Sequence, residues 1–253
     1  MDNDIRKKIW QICRDHGILE KEWESYHDEP PAYDRFPYAP YIPDKWNKIL
    51  VLGTTQKINT RNNGDKEYRQ SLLDVSDENM IFRLGNSRVT CVESDEQIGV
   101  EDWDNGFLKI AMLSGFPGSK LSEFGVSNAI PWELSRVDKE RNNFLQFKSI
   151  NFWKSIFHLI KPKCVISTGR FGHHTILLCY PREMKFKYFN LLSPQAPNIA
   201  FNLFDEEDLY FRYPEIRLAM EKNSKIIKRS DPRWGRFVFF SAHAVSKIRS
   251  TLV

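Results

Sequence analysis

Lys48-Ile-Leu-Val-Leu-Gly53 decides the fold. A strand with one face in water alternates apolar and polar residues. An unbroken short apolar run that stops at glycine instead fits a strand buried on both faces of a parallel sheet. Lys163-Cys-Val-Ile-Ser-Thr-Gly169 repeats the pattern. Phe124–Ile130 and Phe186–Leu192 supply two further strands. Helical patterns lie between them: Phe107–Leu113, closed by Gly115-Phe-Pro-Gly118, then Asn142–Ile160 and Gly172–Cys179. In the longest, Phe144, Phe147, Ile150, Trp153, Ile156, Phe157 and Ile160 are expected on one buried side. The alternation predicts an α/β fold, a doubly wound, mainly parallel central sheet flanked by helices in a single domain.

The flanking segments extend this frame. Ile5–Trp23 reads as a helix through Ile9, Ile12 and Cys13. Asp28–Pro43 holds five prolines among aromatics, so it is expected as an extended loop packed on the surface. Residues 1–45 are thus a helix and a wrap belonging to the same domain as residues 46–253. Thr54–Asp65 is polar with a turn at Asn62-Asn63-Gly64, and Met80–Val92 reads as two short strands or a hairpin. The C-terminal part is expected as a helix over Pro214–Lys228, a strand over Arg236–Phe240 and a last helix over Ala242–Leu252.

With 41% hydrophobic and 28% charged residues in 253, the chain has the balance of a globular protein and not of a disordered tail or disulfide-stapled module. No run approaches 18 apolar residues, and Met1–Trp10 lacks a signal-like apolar stretch. Cys13, Cys91, Cys164 and Cys179 lie far apart, which suits free thiols in a reducing cytoplasm. The net charge of +4 is uneven: Pro214–Val253 carries nine Lys/Arg and three acids. That excess suits either a polyanion partner or a solvated helix face.

In sheets of this class, ligands sit at the carboxyl ends of the strands. The residues there are Thr54-Thr55-Gln56, Asn128-Ala-Ile-Pro-Trp132, Gly169-Arg170 and Ser193-Pro194-Gln195. Val51-Leu-Gly-Thr-Thr-Gln56 is similar to a first strand leading into a catalytic Gly-x-x-Pro loop. Phe107-Leu-Lys-Ile-Ala-Met-Leu-Ser-Gly-Phe116 is similar to a helix ending in a Gly-Phe turn, and Ser127-Asn-Ala-Ile-Pro-Trp132 to a strand ending in Asn. A long helix and Leu159-Ile-Lys-Pro-Lys-Cys-Val-Ile-Ser-Thr-Gly-Arg170 follow, then Leu191-Leu-Ser-Pro-Gln-Ala-Pro197 in the place of a His-Pro-Ser or Asn-Pro-Ser motif. In their order and spacing, over roughly residues 48–200, these segments resemble the uracil-DNA glycosylase superfamily.

The resemblance implies a DNA glycosylase that flips one nucleotide out and hydrolyses its base–sugar bond. Its catalytic slots fall on Thr54 and Thr55, where the family carries Asp, Asn or Glu, and Gln56 replaces the family's usual proline; Gln56 and Asn59 also offer amides at the pocket mouth. Ser193 stands where the family's His or Asn stabilises the departing base. Threonine hydroxyls are poor bases unaided. A carboxylate is therefore sought elsewhere, at Asp65, Asp102 or Asp104, the last of which also reads as a helix N-cap. Asn128 matches the family residue that reads the base edge, a task an amide suits because it both donates and accepts; its other reading is a strand-end turn residue. Gln195 is a further amide at the pocket mouth. Arg170 suits a phosphate or a structural salt bridge, and Ile199 or Phe201 suits a wedge into the duplex or core packing. The cysteine spacing does not support an iron–sulfur cluster, and His173-His174 lacks a partner acid at metal spacing, so no cofactor or metal is expected.

The expectation is a monofunctional, monomeric enzyme acting on DNA, with no membrane and no obligate protein partner. Its altered slots point away from plain uracil towards a modified or damaged base, such as a modified cytosine in phage DNA. The rival is a glycosylase fold that kept DNA binding and lost the chemistry; a small-molecule enzyme on a flavodoxin-like sheet lacks a phosphate loop to support it. If the basic segment after Pro214 meets phosphates, DNA affinity falls steeply as salt is raised; a flat titration removes that segment from the interface.

Overall fold

The computed structural model describes residues 3–19, 21–22, 35–56, 106–120, 123–134, 138–179, 186–191, 205–222, 229–230 and 234–252. In chain order the elements are α1 (Asn3–Asp15), β1 (Ile49–Gln56), α2 (Gly106–Gly115), β2 (Gly125–Glu133), α3 (Lys139–Ile160), β3 (Cys164–Thr168), α4 (Gly169–Cys179), β4 (Lys187–Leu191), α5 (Glu206–Arg212), α6 (Pro214–Lys222) and α7 (Trp234–Leu252). The strands form a parallel sheet in the order β2-β1-β3-β4. The chain leaves β1 towards one side for β2, then returns past β1 to β3. This reversal puts a topological switch point between β1 and β3. The expected α/β class is therefore the observed one.

Contacts divide the chain into two compact units, residues 1–90 with 124–188, and residues 91–123 with 189–253. The first unit holds β1–β3, the start of β4, and α1, α3 and α4. Its centre is an aromatic ladder on α3. Phe152 meets Trp132 and Trp153, Trp153 stacks on Phe157 at 5.2 Å, and Phe157 meets Phe186 at 5.1 Å. The α3 helix starts at Asp138, whose carboxylate accepts from the Arg141 N–H, and ends at Lys161, whose left-handed backbone closes onto Phe157. Its buried side is Leu145, Ser149, Phe152, Trp153, Ile156, Phe157 and Ile160. Phe144 and Ile150 are only half-buried, and Phe147 is 64% exposed, which corrects the expected face. Sequence spacing mistook the flank of the helix for its centre.

The described part of the proline-aromatic wrap, residues 35–43, closes the outer edge of β2. Tyr41 exchanges both backbone hydrogen bonds with Val126 at 2.9 Å, and the Tyr38 N–H donates to the Pro131 carbonyl at 2.7 Å. Tyr38, Ala39 and Ile42 are buried there. An open strand edge is a template for aggregation, and this segment covers it. Residues 28–34, Met80–Val92 and the end of the expected Pro214–Lys228 helix lie outside the described residues.

The second unit is helical. Arg236–Phe240 is not a strand, and no break precedes Ala242: all of it belongs to α7. The run Phe-Val-Phe-Phe is rich in strand-formers, but Val238, Ser241, Ala242, Val245 and Ile248 are buried at helical spacing. Small residues let α7 approach α2, where a Cβ on Gly115 would lie 2.6 Å from Ile248. The α5 helix, unforeseen in the sequence, is capped by Asp205 and carries Glu206, Glu207 and Asp208 in its first turn.

His16 ties the N-terminal segment to α3 by a 3.1 Å hydrogen bond with Ser155 and an edge contact with Phe152. Burial foremost, with help from Lys148 and against Asp15, holds its pKa below the ordinary value. A histidine that resists protonation when folded stabilises the fold above its unfolded pKa and loses that contribution as pH falls below it. Between about pH 7 and about pH 5, His16→Gln is expected to lose less thermal stability than the wild type, as read by melting curves; parallel curves remove His16 as a source of acid sensitivity.

Candidate functional site

The carboxyl end of β1 is strand, not loop. The residues expected to follow Gly53 as a tip, Thr54-Thr55-Gln56, continue β1, and Asn128-Ala-Ile-Pro-Trp132 continues β2. Thr55 pairs with Ile130 and Gln56 with Glu133, so Pro131 and Trp132 form a bulge. Proline fits here because a bulge on an edge strand does not require its missing N–H.

Asn128 lies directly beside Gly53, its register partner. A Cβ on Gly53 would sit 2.6 Å from Asn128 Oδ1, closer than any real contact. Gly53 is thus not a turn glycine. Its lack of a side chain makes room for the half-buried Asn128 amide within the sheet. Of the two readings of Asn128, the turn residue is excluded, since it sits inside β2.

At the other side of the switch point, β3 passes into α4 without a loop. Gly169 makes the corner with φ of +74°. Arg170 follows on the first turn, exposed, and has no ion-pair partner among the described residues. Behind it, Gly172 packs within 3.4 Å of Ala129 and 3.5 Å of Ser167, measured from the Cβ it lacks. Ser167, Tyr188 and His173 form a hydrogen-bonded chain across β3, β4 and α4.

Asn59, Ser193, Gln195, Ile199 and Phe201 lie outside the described residues, as do Asp65, Asp102 and Asp104. Register instead exposes a carboxylate position that the sequence did not single out. Glu133 ends β2 opposite Gln56, at the carboxyl end of the sheet. The expected strand ends at Ile130 and so leaves Glu133 outside it. Cys13, Cys164 and Cys179 are buried free thiols. Burial pushes Cys164 and Cys179 up to about 12, so neither is a thiolate nucleophile. No group of three or more His, Cys, Asp or Glu is placed to hold a metal ion among the described residues.

The basic excess after Pro214 is partly spent within the second unit. Arg217 meets Glu221 at 3.2 Å and Glu207 at 3.7 Å, Arg229 meets Glu206 and Glu207, and Arg249 meets Glu215. Several of these acids belong to α5, just outside the window that defined the excess. Counted from Asp205, ten Lys/Arg face seven acids, so the excess falls from six to three. These arginines are exposed, and their pairs add little stability, but they lower the field available to a polyanion.

No protein-family model matches the chain, and no curated protein matches it. Among the described residues, no helix is long and apolar enough to cross a membrane.

Gly53→Ala is expected to destabilise the protein by about 1–3 kcal/mol through overpacking against Asn128. The double variant Gly53→Ala, Asn128→Ala recovers most of that loss in a denaturant-unfolding cycle. Additive losses would separate the two residues.

Proposed function

We propose that the chain is a monofunctional DNA glycosylase. It hydrolyses the N-glycosidic bond of a flipped-out modified or damaged base and leaves an abasic site. Its working environment is a reducing cytoplasm, and it acts as a monomer without a cofactor. The observation that carries this reading is the Asn128 amide held beside Gly53 towards the carboxyl end of β1, next to the switch point across which β3 passes into α4. The order of motifs that resembles the uracil-DNA glycosylase superfamily supports it as well.

In this mechanism the Asn128 amide reads the edge of the extruded base through its paired donor and acceptor. Arg170 holds a flanking phosphate. The segment Thr54–Gln56 borders the sugar. Water adds to the anomeric carbon as the carbon–nitrogen bond breaks, and the bonding electrons leave with the base. Glu133, at the register position opposite Gln56, is the carboxylate position assigned to stabilise the sugar cation and take the proton from water. Departures from the family's usual slots favour a base other than uracil, and a modified cytosine of phage DNA is the first to test.

A binder without chemistry is the second reading, favoured by one observation: the end of β1 is Thr-Thr-Gln, without a carboxylate. Duplexes carrying uracil, hypoxanthine, an alkylated base, hydroxymethylcytosine or glucosylated cytosine separate the two after incubation and alkali treatment. Strand breaks at one base type are expected. Asn128→Ala and Glu133→Gln are each expected to lower that cleavage by about 100-fold or more, with DNA affinity little changed. Intact strands with DNA binding retained favour the binder, and absence of DNA binding removes both readings.

A further inference from the structure

Tyr188 is the node of a polar chain that no step above uses. Its hydroxyl lies 2.6 Å from Ser167 Oγ on β3 and 3.0 Å from His173 Nδ1 on α4. The phenol and imidazole rings stack at 5.8 Å with planes 9° apart, so the second bond is held in orientation as well as distance. Ser167 is fully buried. Burial pushes the phenol up to about 12, so Tyr188 keeps its proton. A neutral phenol has one proton to donate. An imidazole nitrogen without its proton is a stronger acceptor than a serine hydroxyl, which favours the arrangement in which Tyr188 donates to His173 Nδ1 and Ser167 donates to the Tyr188 oxygen over the reverse one. The partner of one ring nitrogen decides where the proton on the other resides.

We infer that Ser167, Tyr188 and His173 are a positioning relay that locks His173 as the Nε2–H tautomer and holds the start of α4, with Arg170, against β3 and β4. The inference rests on the proposed site in one respect, the assignment of Arg170 to a DNA phosphate. Arg170 and His173 are three residues apart, neighbours on one side of the helix. The close seat of Gly172 on Ala129 and Ser167 leaves the first turn little room to shift. Loss of the relay removes two hydrogen bonds that tie the first turn of α4 to β3 and β4.

Nitrogen-15 NMR of histidine-labelled full-length protein tests the chemistry, with His174→Gln used to assign the signals. Neutral His173 is expected to carry its proton on Nε2, and Tyr188→Phe is expected to abolish that preference. A proton on Nδ1 in the wild type, or an unchanged tautomer in Tyr188→Phe, overturns the relay. DNA affinity tests the positioning. Tyr188→Phe and His173→Ala are expected to weaken binding about fivefold. His173→Asn, whose side-chain oxygen accepts in place of Nδ1, is expected to restore it to within about twofold of wild type. A His173→Asn protein as weak as His173→Ala overturns the positioning role. Should Tyr188→Phe fail to fold, the wild-type tautomer and the Ala/Asn pair decide. If wild-type protein binds no DNA, the glycosylase reading and the positioning of Arg170 fall, and the tautomer is still judged by NMR.

Discussion

The indole N–H of Trp153 donates to the Ala129 carbonyl at 2.9 Å, and much of the first unit depends on that contact. A buried donor left unpaired costs far more than a paired one contributes, so the bond is a strict geometric condition. It couples the middle of the longest helix to the strand that carries Asn128. The aromatic ladder on either side of Trp153 makes the coupling stiff, because edge and stacked ring contacts have narrow preferred geometries. Ala129 is small and fully buried, so α3 and α4 both approach β2 at this level.

Three further features follow from fixing β2 in this way. Its outer edge needs cover, which the proline-aromatic segment provides through Tyr38 and Tyr41. Its continuation past Ile130 must absorb a proline, which the bulge opposite Thr55 and Gln56 accommodates. That bulge in turn brings Glu133 to the level of Gln56 at the sheet's carboxyl end. Asn128 keeps its place because Gly53 offers no side chain to displace it. Asn128 is thus held inside a strand by packing and not by a loop.

The electrostatic layout differs from what charge counting along the chain suggests. Ion pairs join α6, α7 and the turn at Arg229 to the acidic start of α5 and to Glu215, so Arg217, Arg229 and Arg249 balance local acids. Arg170 is in contrast an exposed cation without a described acid partner, at the corner where β3 becomes α4.

The sequence by itself determined the four strands, the long helix and the parallel arrangement. For β1 and β3, continuous apolar runs ending in glycine have few other stable solutions. It also marked Asn128 within the second strand and Arg170 after the third. Tertiary structure alone decided the rest. Whether Phe-Val-Phe-Phe becomes strand or helix depends on the partner surface, and Gly115 on α2 offered a helix-sized one to α7. Whether Phe147 or Leu145 faces inward depends on where α3 meets the sheet, as both lie on a broad apolar arc. The register of Gln56 with Glu133, the space that Gly53 leaves for an amide, and the meeting of Ser167, Tyr188 and His173 join residues distant in the chain. Local propensity carries no information about such pairings, because only the closed sheet brings their backbones together.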